Sequence, residues 1–261
     1  MFDIHFHLIY GVDDGPQSLE SSLKLAEASI AQGITHIVAT PHSSDRYPYQ
    51  PEVNRERLRT LQDHFDGRLT LGLGCDFHLS YDNLEEFEKN PTKFTINGSS
   101  YLLVEFPDYV NFAAYGDVFF RIMTAGVTPI ITHPERNPTL LSKPSPILDW
   151  VHTGCLLQIT AASLFGRFGR RSEALARNLV KGNYVHIIAS DAHDVHGRPP
   201  AMREAHTILK RDFGAETADR LCIHNPRAVF LGEKLPPQPE PSGPLYQKAP
   251  AKKGLFSRFF R

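Results

Sequence analysis

The chain has 261 residues, 41% of them hydrophobic and 22% charged, with a formal net charge of −1. That is enough apolar material for one large core or two small ones, and the near-neutral balance points to no nucleic-acid partner. Cys75, Cys155 and Cys222 lie far apart, which excludes a disulfide framework or a thiolate zinc site and fits a reducing cytoplasm.

The N-terminal apolar run lacks a basic region and is broken by histidines, so it does not read as a secretory signal. No run is long enough to cross a bilayer. Phe2–Leu8 reads as strand one. Asp3, His5 and His7 fall at every second position, so the two imidazoles share one face of that strand. A loop with Gly11, Asp13, Asp14, Gly15 and Pro16 follows, Asp13 reading as a turn residue. Ser18 is the expected N-cap of a helix running to Gln32, with Leu19, Leu23, Ala26 and Ile30 inward and Gly33 as its stop.

Strand two, Thr35–Thr40, ends at Pro41-His42. A loop over Tyr47–Pro51 leads to a charged helix, Glu52–Phe65, with Val53, Leu58, Leu61 and Phe65 inward. Strand three, Leu69–Cys75, ends in Asp76-Phe77-His78, and a short helix follows over Leu84–Lys89. Strand four, Tyr101–Val104, ends at Glu105 and is followed by a helix over Ala113–Thr124. Strand five, Thr128–Thr132, ends in His133-Pro134-Glu135-Arg136, before a helix over Pro146–His152. Strand six is Cys155–Thr160, and Ser172–Lys181 is helical. Strand seven, Tyr184–Ser190, ends in Asp191-Ala192-His193. Helices over Ala201–Lys210 and Ala215–Cys222 and a turn over Asn225–Leu231 close the unit.

Strand and helix alternate about seven times, which predicts a parallel sheet buried on both faces. His5 and His7, His42, Asp76, Glu105, His133, and Asp191 with His193 stand at the C-terminal ends of different strands. A closed or nearly closed barrel brings those ends onto one face, whereas an open sheet separates its outer strands. Each residue alone has an ordinary explanation: a strand-end histidine is usually a cap or a surface residue, and Asp191 can merely cap the next segment. Acids and histidines at six strand ends together point instead to a metal site. Imidazole and carboxylate donors suit divalent first-row metals, and so many of them suit two or three ions. Paired metals ~3.5–4 Å apart generate hydroxide and hold a phosphoryl oxygen at once. Arg136 and Arg198, just beyond strands five and seven, have the fork that suits phosphate. Asp3 reads as support for a ligand, and His36, His64, His152, His186, His206 and His224 as structural or surface residues. No cysteine has arginine at its sixth following position, which excludes a cysteine-based phosphatase.

The ordered set D-x-H-x-H, DDGP, TPH, VEF, H-x-E-R and ASDAH with GRPP resembles the polymerase-and-histidinol-phosphatase (PHP) superfamily. Within it the chain is most similar to the manganese-dependent protein-tyrosine phosphatases of bacterial capsule and exopolysaccharide loci, the CpsB/YwqE group, from Met1 to about Leu231. The resemblance implies an α/β fold, a distorted seven-stranded (β/α)7 TIM-like barrel, with His5, His7, Asp14, His42, Asp76, Glu105, His133, Asp191 and His193 as ligands. It implies two or three divalent ions, Mn2+ first, with iron or zinc as alternatives. Arg136 and Arg198 match phosphate-contacting arginines, and His42 joins them as a catalytic candidate. The implied reaction is hydrolysis of phosphotyrosine by a hydroxide bridging the metals, on the tail of a membrane-associated bacterial tyrosine kinase. A small-molecule phosphatase acting on histidinol phosphate or a nucleotide is the alternative. The family has glutamate where this chain has Asp76, one methylene shorter, and His78 on the same face is the candidate to compensate.

Residues 1–233 are expected to form the catalytic barrel. Residues 234–261 read as a disordered Pro-rich linker and a basic tail, with Leu255, Phe256, Phe259 and Phe260 on one helical face. Such a tail predicts at most weak, reversible contact with an anionic membrane surface, on an otherwise cytoplasmic protein.

Overall fold

The computed structural model describes residues 1–107, 112 and 115–243. Among these residues, eight strands form two all-parallel sheets. One holds β1 (Phe2–Phe6), β2 (His36–Ala39) and β3 (Thr70–Leu73). The other holds β4 (Asp76–His78), β5 (Tyr101–Glu105), β6 (Thr128–Thr132), β7 (Leu156–Thr160) and β8 (Ile187–Ala189), each sheet in chain order. The expected strand three is divided: β3 pairs with β2, and β4, two residues on, pairs with β5. At the break, a Cβ on Gly74 would lie 3.1–3.3 Å from Ile96, Val38 and Thr40, so a larger residue here would press on its neighbours. Single parallel bridges join the sheets at both seams, His42 to Asp76 and Phe6 to Ala192. The seven-strand barrel is therefore present but interrupted at two seams rather than continuously laddered.

Period-two alternation explains its interior. Val38, Leu103, Ile130 and Ile187 form a buried apolar cluster with Ile4, Tyr101 and Val229. The residues two or four positions further along those strands are His42, Glu105, Thr132 and Asp191. An apolar layer thus supports a polar one at the C-terminal strand ends. The larger core lies between sheet and helices and includes Phe6, Ile37, Phe77, Leu102, Ile131, Leu157 and Ile188.

Helices α1 (Leu19–Ala31), α2 (Pro51–Gln62), α3 (Tyr81–Lys89), α4 (Tyr115–Thr124), α5 (Pro138–Ser142), α6 (Ser145–His152), α7 (Arg170–Lys181), α8 (Met202–Phe213), α9 (Ala215–Asp219) and α10 (Asn225–Leu231) cover the outside. Ser18 caps α1 as expected, accepting from the Ser21 N–H within a capping box. The buried stripe of α1 differs from the expected one: it is Ser22, Leu25, Ala26 and Ser29. Small residues let the helix approach the sheet closely, and the Ser22 hydroxyl donates to the Leu8 carbonyl at 2.6 Å. Leu19, Leu23 and Ile30 pack at the margin. The final turn is the full helix α10, reached through a π-helical stretch at Arg220–His224.

The Pro-rich segment does not leave the barrel at Glu233. Gln238 and Asn225 exchange two amide hydrogen bonds of 2.9 Å, Ser242 N–H donates to Gly182 O at 2.8 Å, and Tyr184 Oη donates to Gly243 O at 3.1 Å. Polar groups of Asn225, Gly182 and Tyr184 hold this strap, so hydrogen bonding to the barrel continues past Glu233 among the described residues. The expected basic apolar face at 252–261 lies outside the described residues. No helix among them is long and apolar enough to cross a membrane.

Candidate metal centre

The site is assembled from residues in, or just beyond, β1, β2, β4, β5, β6 and β8. His5 is the last but one residue of β1 and His7 begins the next loop; their ring centroids are 5.6 Å apart. His42 follows β2, Asp76 opens β4 and Glu105 closes β5. His133 and Asp191 follow β6 and β8 with φ of 32° and 52°. Two non-glycine residues in the left-handed region at one site are the kind of strain that a functional geometry retains.

The donor atoms fall into four overlapping groups, with all atoms of a group within 4.8 Å of one another: His7, Asp14, His42, His193; His5, His7, Asp76; His5, His133, Asp191; and His42, Asp76, Glu105. Together these contain all nine residues singled out from the sequence. The groups overlap at His5, His7, His42 and Asp76; each imidazole nitrogen can serve one ion, whereas the Asp76 carboxylate has two oxygens with which to bridge a pair. His78 belongs to none of the four; its Nδ1 lies 3.5 Å from Glu105 Oε2. Asp3 also stays outside them, accepting the Ser190 N–H at 3.0 Å, and burial pushes its carboxyl up to about 6.

The donor set fits divalent cations on a structural criterion. His5 Nε2, His7 Nε2 and both oxygens of Asp76 are buried without any hydrogen-bond partner. Such atoms are costly to bury unless something satisfies them. They converge: His5 Nε2 is 3.5 Å from Asp76 Oδ2 and 3.4 Å from Asp191 Oδ1, and His7 Nε2 is 3.4 Å from that same Asp191 oxygen.

Two residues that the sequence reading passed over orient these imidazoles. His5 Nδ1 meets Gln158 Oε1 at 3.0 Å, and His7 Nδ1 meets Asp13 Oδ2 at 2.7 Å. Each contact places the ring proton on Nδ1 and turns the Nε2 lone pair toward the acids. Asp13 is thus more than a turn residue: it is buried and also accepts from Gly15 N–H at 2.9 Å and His42 N–H at 3.3 Å. A Cβ at Gly15 would come within 2.7 Å of His7 O and 3.0 Å of Asp13 Oδ1, which accounts for the glycine of DDGP. A fully buried glutamine in the middle of β7 was the available signal for Gln158. Glu135, also fully buried, accepts from Thr160 N–H and the Ser163 hydroxyl and ties the loop after β6 to that after β7.

Charges in the cluster are strongly coupled. Burial opposes the charge of His5, but Asp76 and Asp191 override it and lift its pKa to about 9. Burial likewise opposes the charge of His42, while Asp14 and Asp76 raise it to about 11. Asp76 stays ionised against its burial because of His5 and His42, and Asp191 because of His5, Arg198 and Arg136. His133 is pushed down by burial and Arg136, and His193 to about 4 by burial and His7.

Arg136 and Arg198 both bond Asp191 Oδ2, whose other oxygen faces His5 and His7. Arg198 Nη1 also lies 2.9 Å from His193 Nε2. The buried floor opens outward past Asp14, His42 and Glu105, whose side chains are 44%, 16% and 21% exposed. The arrangement offers cation donors below and two guanidiniums at the mouth, a suitable seat for a tetrahedral oxyanion. The cysteines take no part: all three are buried, and burial lifts the Cys155 thiol to about 12.

Comparison with known proteins gives a consistent result. The sequence profile of the family described as "Capsular polysaccharide synthesis, CpsB/CapC" matches residues 1–231. Tyrosine-protein phosphatase CpsB of Streptococcus pneumoniae is 31% identical over 244 residues, 90% of this chain and 100% of its own length. Tyrosine-protein phosphatase YwqE of Bacillus subtilis is 34% identical over 248 residues, 92% and 96% of the two chains. A crystal structure from work on those two proteins, described there as unique metal-dependent tyrosine phosphatases, superposes with a TM-score of 0.86 at 31% identity, covering 94% of this chain and 100% of its own.

Proposed function

The chain belongs to the CpsB/CapC family of capsular polysaccharide synthesis, and from that premise we propose the following reading. The protein is a metal-dependent protein-tyrosine phosphatase. The observation that carries this reading is the set of buried, unpartnered and convergent donor atoms on His5, His7 and Asp76, with two arginines beside them.

The proposed ligands are His5, His7, Asp14, His42, Asp76, Glu105, His133, Asp191 and His193, for two or three divalent ions, Mn2+ first. When bound, such ions supply charge neutralisation for phosphoryl oxygens and a water acidic enough to attack near neutral pH. The remaining work falls to the protein. Arg136 and Arg198 bind the phosphoryl group and neutralise charge that grows on its equatorial oxygens. Asp191 holds both guanidiniums in place until substrate arrives. Asp13 and Gln158 keep His7 and His5 in the tautomer that presents Nε2. The apolar layer beneath excludes water from the floor. A phenolate is a good leaving group, so the demand for a general acid is small.

The proposed substrate is the phosphorylated tail of a bacterial tyrosine kinase acting in capsule assembly, met at the cytoplasmic face of the membrane. The proposed catalytic unit is the barrel, residues 1–233, with residues 234–261 as an appendage. Turnover of a phosphotyrosine peptide that disappears with chelator and returns with Mn2+ is the expected result. No turnover with any added divalent metal, by a folded protein, would overturn the reading. Faster turnover of histidinol phosphate would move the substrate to the small-molecule class.

A further inference from the structure

The rim of the metal centre carries two aromatic rings that the chemistry above does not use. Tyr47 lies in the loop after β2, its ring near-parallel to that of His42 (17°) with centroids 5.9 Å apart. Phe168 lies in the loop after β7, with the Arg136 guanidinium 4.4 Å from its ring centre. In strand order, β2 and β7 stand on opposite sides of the barrel, so the two rings face each other's side across the mouth.

Tyr47 is held rather than draped over the surface. Ser44 and Tyr47 exchange reciprocal backbone hydrogen bonds of 3.0 Å, and Tyr49 two residues on is pinned by its hydroxyl to Gly74 O at 3.0 Å. Both nitrogens of His42 are turned inward, Nε2 to Asp14 and Nδ1 to Asp76, each at 3.3 Å. The imidazole therefore needs no further partner to fix it, and the half-buried Tyr47 ring beside it is left without a role in holding it. Arg46, exposed and in no ion pair among the described residues, lies 5.1 Å from the Tyr47 ring centre and can swing over or away from a second ring.

We infer that Tyr47, extending the face of His42, is a binding subsite for the aryl group of a phosphate ester. The inference rests on the phosphatase reading and adds its selectivity. With the phosphoryl group seated against Arg136 and Arg198, a directly attached ring has to cross the rim, where an aromatic face offers offset stacking. An alkyl ester has no such face to offer. Phe168 has a different part: it steadies Arg136, so its loss weakens every phosphoryl ligand alike.

The test uses the full-length, metal-loaded protein and two non-hydrolysable probes, phenylphosphonate and methylphosphonate, with affinities measured by calorimetry and metal content by elemental analysis. The wild type is expected to prefer the phenyl probe. Tyr47→Ala should weaken phenylphosphonate about 3- to 10-fold, leave methylphosphonate unchanged and keep the metals, while Tyr47→Phe keeps the preference. Phe168→Ala should weaken both probes equally. Parallel weakening of both probes in Tyr47→Ala, or no change in either, would overturn the inference; so would loss of metal, which would make Tyr47 a mere support of His42. A wild type that prefers the phenyl probe yet hydrolyses no phosphomonoester would sink the phosphatase reading and leave the subsite standing.

Discussion

The two ends of the barrel treat buried polar groups in opposite ways. At the N-terminal ends of the strands, His186 accepts the Leu157 N–H at 3.1 Å, and burial lowers its pKa to about 4, so it is a neutral structural residue. Asn225, fully buried, donates to His186 O and exchanges two bonds with Gln238. At the C-terminal ends, His5, His7 and Asp76 are equally buried, yet they leave polar atoms unpartnered and crowd charge on charge. At the first end His186 and Asn225 find their partners within the chain, as in a stabilising face; at the second the free atoms are the ones the proposed metal ions would take.

The sharpest way to break that contrast is to remove one residue from each end. Asp191→Ala should reduce turnover to background and lower the metal content, since it strips a donor and the anchor of both arginines. His186→Ala should lower stability while the folded protein keeps its metals and turnover. Equal loss of metal from both variants would show that the two ends are not functionally distinct. Arg136→Ala separates the mouth from the floor: a roughly 100-fold or greater loss in kcat/KM is expected with metal content unchanged. Lost metal in that variant would contradict its place as a phosphate clamp.

Smaller effects belong to the residues behind the donors. Asp13→Ala should cost about 10- to 100-fold in metal affinity or activity, because His7 loses the partner that fixes its tautomer. A calorimetric titration with Mn2+ would read this directly, and an unchanged affinity would reduce Asp13 to a turn residue. Metal uptake should also depend on pH. The metal-free values of His5 and His42, about 9 and about 11, lie above the ordinary value of about 6.5. Both imidazoles therefore carry protons at neutral pH that metal must displace. Uptake should release protons, and affinity should climb from pH 6 toward pH 9. The folding linkage has the opposite sense. Stabilisation of the metal-free fold by charged His5 is complete below about pH 6.5 and disappears as pH rises through about 9. An affinity flat across this range would refute the coupling.

What the sequence displays, and what it hides, follows the same division. Residues at strand ends are legible because a repeated strand-helix pattern locates the ends, and chemistry-bearing residues there stand out from an apolar background. Glu105, His133 and His193 are legible in that way, whereas Asp14, in the glycine-rich loop, is indicated only by the resemblance. Asp13 is not legible, because a carboxylate in a glycine-rich loop has the composition of a turn, and only the fold shows it beneath His7. Gln158 hid inside a strand, where alternation says which face it occupies but not which imidazole waits there. The inward face of α1 is hard to read because its larger apolar residues lie at the margin while Ser22 and Ser29 are buried. The division of β3 from β4 depends on which strand each half pairs with, β2 for one and β5 for the other, a choice between segments distant in sequence.

The strap shows the smallest and most instructive effect. Proline content alone suggested a linker free from Glu233 onward, since a run with few N–H donors has little to offer a sheet. Yet Gln238 between its prolines supplies both halves of an amide pair to Asn225, a residue with no access to water. Gln238→Ala leaves that buried amide short of partners, which should cost about 1 kcal/mol and lower Tm by roughly 2–4 °C. Metal content and turnover should not move, because the strap lies at the end of the barrel remote from the donors. Truncation after Leu235 should reproduce the loss in Tm, again with small-substrate turnover intact. A truncation that also empties the metal centre would mean that the two ends communicate through the apolar layer between them.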